Sequence, residues 1–172
     1  MGKVLVVVDM QNDFITGSLG TKEAQGIVDN VVKKIQSCKE QGYEILVTLD
    51  THGESYLQSQ EGRFLPVEHC IRGTWGWQLE SSVEAAVGEA RRYEKGTFGS
   101  KELAQDLEKM NPESVEFVGL CTDICVVSNV LAAKAWLPET PILVDAGCCA
   151  GVTPEAHEAA LATMKSCQVQ VF

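Results

Sequence analysis

Short apolar runs alternate with segments of helical periodicity along this chain, and this alternation limits the folds that it can adopt. Strands are expected over Lys3–Val8, Glu44–Leu49, Arg91–Glu94, Ser114–Leu120, Ile142–Asp145 and Val169–Phe172. Between the first two runs, apolar residues recur at helical spacing through Ile27, Val31, Ile35 and Cys38. Strands that alternate with helices are typical of parallel sheets with right-handed crossovers. The sequence therefore predicts an α/β fold.

The remaining segments complete this prediction. Helices are expected over Lys22–Gln41, Ser81–Val87, Lys101–Lys109 and Ile124–Leu137, and from Thr153 to Ser166, whereas residues 51–80 are expected to be irregular. The chain contains no linker, repeat or low-complexity stretch. Its 172 residues are enough for one domain with a sizeable core. We therefore expect a single domain over residues 1–172.

Charge and composition exclude several classes of protein. The formal net charge of -10 argues against a nucleic-acid-binding role. The apolar run Val4–Val8 is too short for a membrane span or a signal sequence, and no small-residue cleavage site follows it. Seven cysteines without a secretory signal argue against a disulfide framework. These features predict a cytoplasmic protein that does not bind membranes.

Polar side chains follow several of the predicted strands. Asp9 follows the first strand, Asp50 and His52 follow the second, Cys125 follows the central strand, and Asp145 follows the next one. Ligand sites of parallel sheets lie at the carboxyl ends of the strands. We therefore expect these distant residues to converge on one edge of the sheet.

Cys125 has the features of a nucleophile. It lies between a strand and a helix, where free N–H groups and the helix dipole favour a thiolate, lower its pKa and can hold an oxyanion. Asp9 leaves a buried strand, where desolvation raises a carboxyl pKa and suits it to proton transfer. Lys95 near Cys125 would stabilise the thiolate. Taken singly, Asp9 also fits a turn residue and Lys95 a solvated surface residue.

The segment after the second strand suggests a metal site. Asp50 and His52 alternate along an extended backbone and so point to the same side, and His69 follows in the same loop. One carboxylate and two imidazoles suit Zn, Fe or Mn. Further ligands could come from Glu54, Glu61, Glu68 or Cys70. Three unrelated loop residues remain the alternative. The third histidine, His157, is expected to be structural or exposed.

Several motifs together resemble one family, the isochorismatase-like cysteine hydrolases. They are Val7-Val8-Asp9-Met10-Gln11-Asn12-Asp13-Phe14, Asp50-x-His52, His69-Cys70, Lys95-Gly96 and Gly119-Leu120-Cys121-Thr122-Asp123-Ile124-Cys125-Val126. Their order covers essentially the whole chain. Within the family, the Asp-x-His and His pattern is most similar to the nicotinamidase/pyrazinamidase branch.

This resemblance implies a fold, a site and an activity. The fold would be a three-layer α/β/α arrangement around a six-stranded parallel sheet. The implied site residues are a triad of Asp9, Lys95 and Cys125, metal ligands Asp50, His52 and His69, and pocket residues Phe14 and Leu19. A non-proline cis peptide between Leu120 and Cys121 would aim the N–H groups of Cys121 and Cys125 at the oxyanion. The resemblance also implies a divalent metal, Zn by default, and a homo-oligomer, either a dimer or a tetramer.

The implied activity is hydrolysis of nicotinamide through a cysteine thioester, but two departures leave the substrate open. Asp50-Thr51-His52-Gly53 stands where the branch usually has Asp-Trp-His-Pro, and Pro66 stands where it often has a stacking Trp. Phe64, Trp75 or Trp77 would be the substitutes for that ring. The alternatives are another small amide or N-carbamoyl compound, isochorismate, a redox role for Cys125 with Cys121, and a non-catalytic binding protein.

Overall fold

One parallel sheet forms the centre of the structure, a computed structural model that describes residues 2–172. Its strands are β1 (Lys3–Val8), β2 (Glu44–Asp50), β3 (Arg91–Lys95), β4 (Ser114–Leu120), β5 (Ile142–Ala150) and β6 (Gln170–Val171). The helices are α1 (Asn12–Ile15), α2 (Lys22–Glu40), α3 (Gln60–Phe64), α4 (Ser81–Val87), α5 (Lys101–Met110), α6 (Val127–Trp136) and α7 (Pro154–Ser166). A 3-10 turn covers Tyr56–Gln58, and a π-helical turn covers Thr122–Val126.

The strand order places the carboxyl ends of β3, β2, β1 and β4 side by side. The order is β3-β2-β1-β4-β5-β6, and every pair is parallel. Val8 at the end of β1 pairs with Thr48 on one side and with Gly119 on the other, while Asp50 pairs with Lys95. The predicted six-stranded parallel sheet is confirmed.

The side chains of Val4–Val8 in β1 are all apolar, and they are buried on both faces of the sheet. Val4, Val6 and Val8 belong to a core cluster with residues of α5, α6 and α7, whereas Leu5 and Val7 belong to a second cluster with residues of α2 and α4. Alternate side chains thus pack under helices on opposite faces. Burying each such side chain contributes about 1.5–3 kcal/mol. The three-layer α/β/α arrangement is confirmed.

Gly119 brings the ends of β1 and β4 together. Its φ of 121° lies in a region that other residues rarely adopt, and a Cβ there would be 2.1 Å from the carbonyl oxygen of Val8. Glycine is therefore required where the two central strands approach each other. This approach places the turn that carries Cys125 next to Asp9.

Asp145 does not lie at the functional edge, so that prediction is wrong. β5 continues to Ala150, which leaves Asp145 in its middle. Lys34 of α2 lies 2.7 Å from Asp145 Oδ2 and 2.9 Å from Glu116 Oε1. This ion cluster compensates the partly buried carboxylates, so a polar residue interrupts the apolar run without ending the strand.

The other element boundaries differ from the predictions in smaller ways. Residues 51–80, expected to be irregular, contain α3 and the 3-10 turn. The π-helical turn replaces the predicted first turn of α6, and β6 is shorter than expected. Among residues 2–172, no helix has both the length and the apolar character needed to cross a bilayer.

Candidate active site

Asp9, Lys95 and Cys125 meet at the carboxyl edge of the sheet, as the sequence analysis expected. Lys95 Nζ lies 2.6 Å from Asp9 Oδ2 and donates a hydrogen bond to Cys125 Sγ at 3.4 Å. The exposed fractions of Asp9, Lys95 and Cys125 are 0%, 4% and 5%. Since charges are rarely buried without partners, this cluster indicates a site built for chemistry.

The conformation of Asp9 is set by its neighbours at the strand ends. Its φ of 47° is left-handed, which is uncommon for a residue other than glycine and recurs at functional sites. Its N–H donates to the carbonyl oxygen of Thr48, and the Thr48 hydroxyl donates to Asp9 Oδ1 at 2.6 Å. These bonds leave Oδ2 facing Lys95.

Burial and charge act in opposite directions on the two ionisable partners. Burial raises the pKa of Asp9, and the positive charge of Lys95 only partly offsets this effect. Burial alone would lower the pKa of Lys95, but attraction to Asp9, Cys125 and Asp50 outweighs burial and raises it. Lys95 is therefore a permanent ammonium group in this site.

The pKa of the Cys125 thiol is raised, so the expected lowering is wrong. Burial is the largest cause and the negative charge of Asp9 adds to it, while Lys95 acts in the other direction. At neutral pH the thiol keeps its proton, and the adjacent Asp9 carboxylate is placed to accept it.

The turn before Cys125 has the backbone form that the family resemblance implied. The Leu120–Cys121 peptide is cis. The carbonyl oxygen of Cys121 accepts hydrogen bonds from the N–H groups of Ile124 and Val126, both at 3.0 Å. These bonds close the π-helical turn that carries Cys125.

A second group of side chains converges beside the triad. Asp50 Oδ2 is 3.0 Å from His52 Nε2 and 3.3 Å from His69 Nε2, and Glu61 Oε1 is 3.6 Å from each of these nitrogens. All four donor atoms lie within 4.8 Å of one another. Zinc bonds of about 2.0–2.2 Å imply tetrahedral edges of about 3.3–3.6 Å between ligand atoms. The donor set therefore fits a divalent metal.

Neighbouring groups orient these ligands. His69 Nδ1 lies 2.8 Å from the carbonyl oxygen of Val67, an arrangement that directs Nε2 toward the cluster. Despite burial, hydrogen bonds to Asp50 and Glu61 raise the pKa of His69 to about 10, so the cluster attracts positive charge. Of the further candidates, only Glu61 joins the group, while Glu54 is exposed.

The sequence analysis missed the structural roles of three residues after Asp9. The Gln11 side chain bonds both the carbonyl oxygen and the N–H of Asp50, each at 2.8 Å. Asn12 Nδ2 donates to the carbonyl oxygen of Trp75, and Asp13 Oδ2 accepts the N–H of Cys70 at 2.8 Å. Three consecutive polar residues, which begin three positions after the last residue of β1, were the signal that these side chains organise the neighbouring loops.

A cavity of about 230 Å³ joins the triad to the metal donors. Its lining residues are Phe14, Leu19, Thr21, Asp50, Glu61, Leu65, His69, Phe98, Cys121, Ile124, Cys125 and Val152. Phe14 and Leu19 were expected there. Leu65, Phe98, Ile124 and Val152 were missed, because their distant segments meet only in the fold. None of these lining residues is an arginine or a lysine.

The three aromatic residues considered as substitutes for the missing Trp do not line this cavity. Phe64 is 84% exposed and is not one of the residues that line the cavity. Trp77 donates its Nε1 hydrogen to the Thr51 hydroxyl at 2.9 Å, and Trp75 lines a separate surface groove. The aromatic rings at the cavity wall are instead those of Phe14 and Phe98.

Comparisons with known proteins found similar sequences and structures. The nicotinamidase/pyrazinamidase of Mycobacterium tuberculosis is 26% identical over 98% of this chain and 97% of its own length. A crystal structure of nicotinamidase/pyrazinamidase from Bacillus subtilis matches with a TM-score of 0.87 and 28% identity over 99% of each chain. The pyrazinamidase of Pyrococcus horikoshii in complex with zinc matches with a TM-score of 0.84 and 28% identity over 100% of this chain and 99% of its own. The isochorismatase domain model matches residues 3–172, so the chain belongs to the isochorismatase domain family.

Proposed function

We propose that this protein hydrolyses the amide C–N bond of nicotinamide, giving nicotinate and ammonia through a cysteine thioester. The observation that carries the proposal is the contact of Lys95 with both Asp9 and Cys125, the last of which lines the cavity. The relatives named nicotinamidase or pyrazinamidase support the same reaction. The triad roles and the metal ligands are part of this proposal.

The reaction begins with the protonated thiol. Asp9 accepts the Cys125 proton as Sγ bonds to the amide carbonyl carbon, and the N–H groups of Cys121 and Cys125 hold the oxyanion. Asp9 then gives this proton to the departing nitrogen, the C–N bond breaks, and ammonia leaves. Asp9 next takes a proton from water, whose oxygen attacks the thioester. The C–S bond breaks, the proton on Asp9 returns to the Cys125 sulfur, and nicotinic acid is released, which gives its own proton to ammonia and becomes nicotinate. Lys95 remains positive and orients Asp9.

The metal donors have a separate role in this proposal. Asp50, His52, His69 and Glu61 would hold a divalent cation, Zn by default, although Fe or Mn suits the same ligands. When bound, the cation would supply a Lewis acid that helps to position the substrate. The nucleophile comes from Cys125 and not from the metal.

The cavity wall alone does not separate the alternatives that carry a charge. N-carbamoyl acids and isochorismate carry carboxylates, which need a positive partner. The lining residues include no arginine or lysine, but a cation held by the metal donors would supply a positive charge in the same cavity. A different small uncharged amide is the second candidate, since the stacking Trp is missing from the wall.

The decisive experiment is ammonia release from nicotinamide by metal-analysed protein. Wild type and Cys167→Ala, which alters an exposed cysteine, should release ammonia, while Cys125→Ala should not. Substantial turnover by Cys125→Ala would reject the nucleophile. If folded, metal-loaded wild type shows no turnover, nicotinamide is rejected as the substrate. A panel of small amides and N-carbamoyl compounds would then be tested, and hydrolysis of one of them would distinguish an enzyme with another substrate from a non-catalytic protein.

Three further predictions belong to this proposal. A homo-oligomer, either a dimer or a tetramer, is testable by light scattering coupled to gel filtration. A cytoplasmic location is testable by cell fractionation. A single domain over residues 1–172 predicts one cooperative unfolding transition.

A further inference from the structure

One contact beside the active site has no part in the reaction described above. His157 lies in the first turn of α7, and its Nδ1 is 2.7 Å from the hydroxyl oxygen of Thr122. Thr122 is fully buried and begins the π-helical turn that contains Cys125. His157 does not line the catalytic cavity. The hydrogen bond with Thr122 therefore gives His157 a direct connection to the turn that carries Cys125.

Two neighbouring contacts hold the same segments together. The N–H of Val152, in the connection from β5 to α7, donates to Asp123 Oδ1 at 3.0 Å. A Cβ at Gly151 would lie 2.7 Å from the backbone nitrogen of His157. Because Gly151 has no side chain, α7 can approach the end of β5. The start of α7 is consequently held at the distance from which His157 reaches Thr122.

We propose that His157 is a positioning residue that holds the Cys125 turn through Thr122. This inference rests on the proposed amide hydrolysis, in which the N–H groups of Cys121 and Cys125 must face the oxyanion. Catalytic groups must be held to within about 0.5 Å, and neighbouring hydrogen bonds provide such restraint. The His157 bond joins the turn to α7, a rigid element outside the cavity.

Three substitutions of His157 distinguish positioning from simple packing. An asparagine amide can reach the place of Nδ1, whereas a glutamine amide reaches the place of Nε2. His157→Ala and His157→Gln should lower kcat about fivefold to tenfold with KM changed less than about twofold, as expected for loss of one hydrogen bond. His157→Asn should retain most of kcat. Thr122→Val should match His157→Ala, and Thr122→Ser should resemble wild type.

The outcomes separate a failure of this inference from a failure of the proposed function. Equal kcat values in the alanine, glutamine and asparagine variants would overturn the positioning role. This conclusion would hold even if all three variants had lower unfolding midpoints than wild type, because a loss of stability alone indicates packing. If wild type does not hydrolyse nicotinamide, the iodoacetamide alkylation rate of Cys125 replaces kcat as the readout, with exposed Cys167 as internal reference. His157→Ala and His157→Gln should then change the Cys125 rate by about threefold or more, and His157→Asn should not. Unchanged rates would overturn the inference.

Discussion

Replacing Lys95 by methionine tests whether the triad is a compensated buried charge cluster. Lys95 Nζ lies 2.6 Å from Asp9 Oδ2 and 3.5 Å from Asp50 Oδ1, and both carboxylates are buried. With an effective dielectric constant of about 20, two unit charges at the shorter distance attract by about 6 kcal/mol before desolvation is subtracted. Removing one partner of a buried pair costs about 3–5 kcal/mol. We expect Lys95→Met to lower the free energy of unfolding by about that amount.

A second substitution isolates the pair. In Asp9→Asn/Lys95→Met the uncompensated Asp9 charge is gone, so part of the stability should return. The expected coupling energy in the double-mutant cycle is about 2–3 kcal/mol. Urea unfolding of the four metal-loaded proteins measures it. Lys109→Met is the control, because Lys109 pairs with Asp106 at the surface and its loss should cost less than about 1 kcal/mol.

The pH dependence provides an independent check on the same reasoning. Without Lys95, the pKa of Asp9 rises further, because the cation that lowers it is absent. The destabilisation exists above this raised pKa, where the buried carboxylate is ionised, and disappears as the pH falls through it. Lys95→Met should therefore regain stability relative to wild type on acidification. Stability equal to wild type at neutral pH, or additive effects in the cycle, would refute the charge-cluster interpretation.

Three further substitutions address the base, the metal and the cavity. The pKa of Asp9 is raised above its ordinary value of 3.8, and the Thr48 hydroxyl opposes this shift. Thr48→Val should therefore move the acid limb of the kcat/KM profile to higher pH. Glu61→Gln should weaken zinc binding in a chelator competition by about tenfold or more, whereas exposed Glu54→Gln should not change it. Phe98→Ala should raise KM about fivefold through lost apolar contact, with kcat retained.

Each of these expectations has a result that contradicts it. If the acid limb of the kcat/KM profile stays in place in Thr48→Val, or moves equally in Thr48→Ser, the Thr48 hydroxyl does not lower the pKa of Asp9. Equal zinc affinities for Glu61→Gln and Glu54→Gln would exclude Glu61 from the metal site. An unchanged KM in Phe98→Ala would show that this residue of the cavity wall does not contact the substrate.

The fold and the ends of its strands were predictable, because their signals are local. Val4–Val8 is buried on both faces of the sheet, so every position is apolar and the strand is readable from composition alone. The polar residues that terminate such runs, Asp9 and Asp50, lie where parallel strands place their ligands. The same reasoning wrongly placed Asp145 at the end of its strand. Lys34 of α2 compensates the charge of Asp145, so β5 continues past it.

The order of strands, the ionisation of the nucleophile and the cavity wall were decided only by tertiary structure. The sequence by itself predicted the alternating elements, the grouping of Asp50, His52 and His69, and the turn that carries Cys125. It could not determine the pKa of Cys125, because burial and the distance to Asp9 depend on packing. The wall residues Leu65 and Phe98 come from separate loops and have no local pattern. Periodicity records which face of an element is buried, whereas pKa values and cavities depend on distances between elements.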